Sequence, residues 1–432
     1  MRAEFIFIFS RDPRESAEGG CRLMCSTESK EAFLEDAGNI LVVPSELREH
    51  DWVRDFFGSV TTPEELASGS CDIARRNVYL CGDVSGISGG RLREAARVMV
   101  IRDLSRGYHE GVDTPWTLVD LGRVPLRVHG AGVYYRRFFG PAADHFERIR
   151  AEHEFQSLTE STKPGTAHRS GIYLTPVTRD DDELHFRLLR CSTNLSGPTE
   201  NFRATDRQIV EALNREAAVL FRNPAPLNHV LAQIYHNTRA TAERKQSKAR
   251  ISAHADKTKD MPVNGIMAFC TFYDGLDKLR PMVEDPFDHG VKGISGLTRL
   301  RFRRKETTTE SDRHGLPPRF EITLHPGSVF FMPLSVNRLY THEIRPSALD
   351  AALLPTRLGY VVRCSSTEAV HKDGHTFLKG PGDPVRLGPP TPEGMDELRG
   401  LYAKENRVSS FVDYGDRFAF SMNQGDYSAP RI

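Results

Sequence analysis

Apolar positions fall into three regimes along the 432 residues. Residues 1 to about 130 mix strand-like runs, Glu4–Phe9 and Asn77–Leu80, with stretches of helical spacing at Pro44–Val60, Pro63–Ser68 and Gly90–Leu104. Thr62 stands as N-cap of the second stretch, with Pro63 at its first position. The pattern predicts an α/β region over 1–130 and leaves its role open.

From about 131 the pattern changes. Val133–Phe139, Gly171–Val177 and Leu184–Arg190 read as strands, and the acidic turn Arg179–Glu183 is expected to join the last two. Pro141–Glu152 is amphipathic, with Phe146 and Ile149 on one side. Thr205–Phe221 is the clearest helix, capped by Thr205, with Ile209, Val210, Leu213, Ala217 and Leu220 as its buried stripe. The strand Val230–Tyr235 then leads into a polar, basic segment, His236–Arg250.

Beyond Asn264 short runs dominate: Gly265–Tyr273, Leu297–Arg304, Phe320–Leu324, Ser328–Met332, Arg338–His342 and Leu358–Cys364. Such spacing predicts an antiparallel barrel or sandwich, interrupted by long loops at Asp274–Gly296 and Lys305–Pro318. The tail after Ser366 is rich in Gly and Pro, with one helix expected at Pro392–Lys404. The organisation expected is α+β: an N-terminal α/β region (1–130), an all-β core with flanking helices (131–365), and an extension packing on it (366–432).

Composition narrows the reading little. Lys+Arg equals Asp+Glu at 58 each, so net charge argues for no partner. The longest apolar runs are strand-sized, and Glu4–Phe9 is too short for a signal-peptide core. Seven scattered cysteines (21, 25, 71, 81, 191, 270 and 364) without C-x-x-C suit free thiols in a reducing, intracellular setting, cytoplasmic or nuclear. Cys21 and Cys25 are a weak zinc pair with no second Cys/His pair nearby. The loop Val84–Gly90 lacks the endings of phosphate-binding loops and reads as a plain turn.

The chemistry centres on Ala249–Asp260, A-R-I-S-A-H-A-D-K-T-K-D. His254 and Asp256, two apart at a strand end, point to one side. A second imidazole added to them makes the donor set of non-haem Fe(II) oxygenases, with positions left open. His342 is the leading candidate; His289, His314 and His325 compete with it. Arg357 and Arg363, six apart on one strand, share a face and offer forks for carboxylates.

His254-Ala-Asp256-Lys257, then Leu324-x-x-Gly327, then Arg338-x-x-x-His342-x-Ile344, then Arg357-x5-Arg363 resemble, in this order, the AlkB-like family of 2-oxoglutarate/Fe(II) dioxygenases. The resemblance covers roughly residues 133 to 365. It implies a double-stranded β-helix (jelly-roll) core with Fe(II) on His254, Asp256 and His342. It further implies that Arg357 clamps the distal carboxylate of 2-oxoglutarate and that Arg363 holds the end near the metal. Tyr235 would contact the co-substrate, with Gln233 where the family has Asn, and His236–Lys248 would be an inserted loop. The implied reaction consumes O2 and 2-oxoglutarate to hydroxylate or demethylate a substrate. A methylated base in DNA or RNA is the first expectation. A protein side chain or small metabolite is the alternative, as is a non-catalytic binding module. Basic segments at 239–250 and 299–305, with Arg299, Arg301 and Arg303 on one strand face, could track phosphates. Phe272, Tyr273 and Phe287 are candidates for stacking a base.

Overall fold

The computed structural model describes residues 38–432 apart from 88, 110–113, 160–165, 191–194, 314 and 416–417. The predicted strand Glu4–Phe9, the Cys21/Cys25 pair and His314 lie outside the described residues. β1 (Asn39–Val42), β2 (Ser59–Thr61), β3 (Asn77–Asp83), β4 (Arg97–Arg106) and β5 (Thr117–Val119) form a parallel sheet in the order β2-β1-β3-β4-β5. Helix α1 (Pro63–Ser68) starts as predicted: the Thr62 hydroxyl accepts from the Glu65 N–H, and the Glu65 carboxylate accepts from the Thr62 N–H.

Two helical readings are overturned in this region. Gly90–Leu104 is one helical turn, Gly89–Leu92, followed by β4. Val98 and Val100 pack on one side of the sheet, and Met99 and Ile101 on the other. A parallel strand buried on both faces is a continuous apolar run, which mimics helical spacing. Pro44–Val60 likewise breaks into two single turns before β2. Gly58 there passes so close to Asn39 that a Cβ would sit 2.3 Å from its carbonyl oxygen.

The next strands are β6 (Leu126–Val128), β7 (Gly132–Tyr135), β8 (Gln156–Thr159), β9 (Thr166–Thr175), β10 (Thr178–Asp180), β11 (Glu183–Leu188) and β12 (Glu200–Asn201). Helix α2 (His145–Glu152) follows β7, and helix α3 (Ala204–Leu220) follows β12. After α3 come β13 (His229–Tyr235), β14 (Ile251–His254) and β15 (Ile266–Asp274). The first long loop carries three short strands, β16 (Arg280–Pro281), β17 (His289–Val291) and β18 (Ile294–Ser295). The core closes with β19 (Arg299–Arg304), β20 (Arg319–Thr323), β21 (Val329–Pro333), β22 (Tyr340–Arg345) and β23 (Thr356–Arg363). The tail holds β24 (Thr367–Lys372), β25 (His375–Leu378), β26 (Val385–Arg386) and helix α4 (Pro392–Arg407).

Two sheets position the site. The larger has nine strands, β12-β9-β13-β23-β15-β21-β7-β6 with β8 beside β9; the smaller is β14-β22-β19-β20. Alternation along the central strands sorts their side chains. Ala232, Tyr360 and Val362 pack on Ile149, Ile209 and Leu213 of α2 and α3. Met267, Phe269 and Phe330 face Leu300, Phe302 and Ile344 of the smaller sheet. These strand-rich mixed sheets with few helices are consistent with a jelly-roll-like fold.

Several local expectations are corrected. The acidic turn joins β10 to β11, and β11 pairs with the tail strand β24 rather than with β9. Thr205 does not cap α3; it lies inside the helix and its hydroxyl donates to Glu152 Oε1 at 2.8 Å. The first turn is held instead by Asp206, whose carboxylate accepts the Arg203 N–H at 2.7 Å. Arg338 is not on a strand, because the chain after Pro333 forms a short helix, Leu334–Leu339, before β22 begins. Cys71, Cys81, Cys270 and Cys364 are free thiols. Among the described residues no helix is long and apolar enough to cross a membrane.

Candidate metal centre

In the antiparallel pair β14–β22, His254 lies opposite His342, with ring centroids 4.5 Å apart. Asp256, just past the end of β14, brings its Oδ1 to 3.7 Å from His254 Nε2. One ligand atom from each of the three residues falls within 4.8 Å of the others. The structure therefore gathers the three predicted ligands. His289 stays in the β16–β18 loop, and His325 is engaged elsewhere, with Tyr134 and Asp285.

Surrounding groups set their states. His254 Nδ1 is 2.9 Å from the Ser252 carbonyl, so an N–H there leaves the Nε2 lone pair facing Asp256. Asp256 Oδ2 accepts from Arg363 Nη2 at 3.0 Å and Nε at 3.2 Å, which leaves Oδ1 toward the imidazoles. Burial, and then the neighbouring His254, push His342 down to about 3; burial also lowers His254. Burial works to raise Asp256, but Arg363 and both imidazoles outweigh it and hold the carboxyl well below its usual range. Two neutral imidazoles beside one carboxylate are a donor set for a divalent transition metal.

The turn carrying Asp256 is held from two sides. Asn337 bonds both the Asp256 N–H (3.0 Å) and its carbonyl (2.9 Å). From α4, Asn406 Oδ1 accepts from the Ala255 N–H (2.9 Å) and Lys257 Nζ (2.6 Å), while Glu405 accepts from the Thr258 N–H. Sequence reading missed both asparagines. Asn337 directly precedes the Arg338–His342 motif but carries no pattern of its own, and no local signal ties Asn406 to a turn so far upstream.

The site opens onto a cavity of about 410 Å³. Along β23, Arg357, Gly359, Val361 and Arg363 line it, while Leu358, Tyr360 and Val362 enter the helix-side core. The Arg357 guanidinium lies 3.8 Å over the Tyr235 ring, and a Cβ on Gly359 would meet its Nη1 at 2.9 Å. Arg357 is only 4% exposed, and its Nε and Nη2 have no hydrogen-bond partner among the described residues. Tyr235 donates to Gln233 Oε1 at 3.2 Å, and both residues line the cavity. Arg363 turns Nε and Nη2 to Asp256 and so orients a candidate metal ligand, while the residue also lines the cavity.

The predicted binding surfaces fare differently. Arg299 and Arg301 both pair with Glu321, at 3.0 and 2.8 Å, and Lys305 is buried against backbone carbonyls of Glu405 and Val408. Much of the basic stripe is thus spent within the fold. In the 239–250 segment, Lys248 bonds the Ser347 and Ala348 carbonyls, while Arg239, Arg244 and Lys245 are exposed. Phe272 is in the helix-side core, and the Tyr273 hydroxyl is tied to Leu324 and Thr298. Phe287 lies beneath Arg136 and Arg137. None of these three aromatics lines the cavity.

A second group, Glu152, His153 and Asp206, has metal-like spacing. His153 contacts Glu200 through Nδ1 (2.9 Å) and Asp206 through Nε2 (2.7 Å). Burial opposes its protonation, yet the hydrogen bonds to Asp206 and Glu200 raise it to about 9. A charged imidazole with both nitrogens occupied is a closed ion triad, not a metal ligand.

No family model matches the chain, and neither does any curated protein. Among solved structures it is similar to SnoN, a non-heme alpha-ketoglutarate dependent epimerase from nogalamycin biosynthesis. The identity is 14%, the match covers 61% of this chain and 92% of SnoN, and the TM-score is 0.32. It is also similar to OsALKBH1, at 14% identity over 54% of this chain and 96% of that one, with a TM-score of 0.30. Both likenesses are remote.

Proposed function

We propose that the chain is an Fe(II)- and 2-oxoglutarate-dependent dioxygenase on a double-stranded β-helix core, with 131–365 as the catalytic domain. One observation carries this reading: the His254–Asp256–His342 cluster shares its cavity with a buried guanidinium, Arg357, that meets no anion among the described residues. Leaving a buried charge uncompensated costs on the order of 3–5 kcal/mol, and a carboxylate meeting the fork in bidentate fashion offsets that.

His254, Asp256 and His342 would hold the metal and leave other positions open. The iron and 2-oxoglutarate supply the oxidising power of O2, in the balance R–H + O2 + 2-oxoglutarate → R–OH + succinate + CO2. The rest is the work of the chain's own residues. Arg357 binds and orients the distal carboxylate, stacked in place by Tyr235. Arg363 keeps Asp256 ionised and fixes which oxygen faces the imidazoles. Phe269, Leu300 and Val361 line the space with apolar surface and limit water.

A methylated base finds little to stack on here. Of the two aromatic side chains among the lining residues, Tyr235 is covered by Arg357, and Phe269 is packed edge-on to His342. Those contacts favour the small-molecule reading. The test is anaerobic loading with Fe(II) and 2-oxoglutarate, followed by O2 and assay of succinate. Succinate that needs iron and vanishes in His254→Ala supports an enzyme; binding without turnover leaves a non-catalytic module.

A further inference from the structure

Arg169 of β9 pairs with Tyr235 of β13, which pairs with Arg357 of β23. Residues in register across neighbouring strands share a face, so Arg169 stands on the cavity wall two strands from Arg357, roughly 10 Å away at ~4.8 Å per strand. The adjacent row is Gly171, Gln233 and Gly359; the bare Gly359 lets Arg357 lie flat, and Leu158 and Gln233 pack over Gly171. Leu158, Leu189 and Leu231 complete that side of the cavity. Arg363 is committed to Asp256 and Arg357 is stacked on Tyr235. Arg169, by contrast, makes no hydrogen bond or ion pair among the described residues, although it is partly buried.

Charge points the same way. Of the cationic residues in the lining, Arg363 is paired with the one carboxylate, Asp256, Lys257 turns its ammonium to Asn406 and the Tyr402 carbonyl, and Arg250 is exposed, which leaves Arg169 and Arg357 as the cations of the cavity wall. The imbalance is local, since the whole chain has formal net charge +0. A divalent metal and a dianionic co-substrate cancel one another and leave the excess unchanged. One further anion is called for, in a space sized for small molecules.

Resting on the oxygenase reading, we infer that the substrate to be oxidised is a small aliphatic acid whose anionic group, carboxylate or phosphate, docks on Arg169 while its chain lies on Leu158, Leu189 and Leu231.

The test uses the full chain loaded anaerobically with Fe(II) and 2-oxoglutarate, with octanoate, octyl phosphate, octanamide and a single-stranded oligonucleotide containing 1-methyladenine as probes in calorimetric titrations. At least one octyl anion should bind at least ~10-fold more tightly than octanamide, and the better of the two names the headgroup. Arg169→Gln should erase that preference while 2-oxoglutarate affinity stays within about twofold. Arg169→Lys, which keeps the charge but loses the fork, should fall between and serves if the glutamine variant is unstable. Equal binding of octanamide, no effect of either variant, or binding of the oligonucleotide in preference to both octyl anions overturns the inference. Loss of 2-oxoglutarate binding in the wild type, with Arg169-dependent octyl binding intact, sinks the oxygenase reading and leaves the anion site standing.

Discussion

Arg357 lies over Tyr235 with its guanidinium carbon 3.8 Å from the ring centroid, and Gly359 leaves the room for it to do so. The stacked arginine is held ready, with two buried donors still to be matched. Arg357→Ala should raise the 2-oxoglutarate KM by about 30- to 100-fold, the equivalent of a lost charged hydrogen-bond pair. Arg357→Lys should recover little, because an ammonium offers no planar fork. Gly359→Ala should raise KM in the same direction by pushing the guanidinium off its ring. Steady-state succinate kinetics check all three; an unchanged KM in Arg357→Ala removes the clamp.

Metal binding should depend on the two imidazoles equally. Their residues are paired across β14 and β22, so neither is peripheral. His254→Ala and His342→Ala should each reduce bound iron from about one equivalent to near zero, read by elemental analysis after anaerobic desalting. Because a ligand that binds only the folded state stabilises it, Fe(II) should raise the melting temperature of the wild type and of neither variant.

Asn406 supplies a subtler case. It touches the Ala255 N–H and Lys257 Nζ, on either side of Asp256, so it acts through the turn that carries that ligand. Asn406→Ala should weaken metal affinity by about 10- to 100-fold, as loss of supporting hydrogen bonds around ligands commonly does. Chelator competition measures this, and a melting curve of the metal-free protein separates it from general destabilisation.

The His153 triad gives a pH signature away from the cavity. Its folded pKa, about 9, lies above the ordinary imidazole value of 6.5. Its contribution to stability is therefore fully present below about pH 6.5 and lost as pH rises through about 9, amounting to at most ~3 kcal/mol. The melting temperature should fall across that window, and His153→Gln should flatten the slope. Glu200, lowered by its hydrogen bond to His153 against the opposing effect of burial, loses its share only at acid pH.

How much of this could be read beforehand follows from where the information lies. His254, Asp256, His342 and the two arginines of β23 were legible because strand periodicity fixes which side chains share a face. The stripe of α3 was legible for the same reason. β4 was not, since burial on both faces removes the alternation that marks a strand. The face of Arg363 was legible but its pairing with Asp256 was not, because spacing reports direction and not which neighbour is met. The hold of α4 on the metal turn depends on contacts between distant segments, and no local pattern encodes those. The basic stripe on β19 looked like a phosphate track until Glu321 of β20 appeared opposite it.

That hold sets an order of assembly. Tyr402, Glu405 and Asn406 come later in the chain than everything else that shapes the turn around Asp256. On the ribosome, a nascent chain can already contain both imidazoles and the acid while the loop between them is still unsupported. The turn that carries Asp256 can therefore reach its supported form only after α4 has been made, and a shortened product ending near 365 would hold all three candidate ligands without that brace.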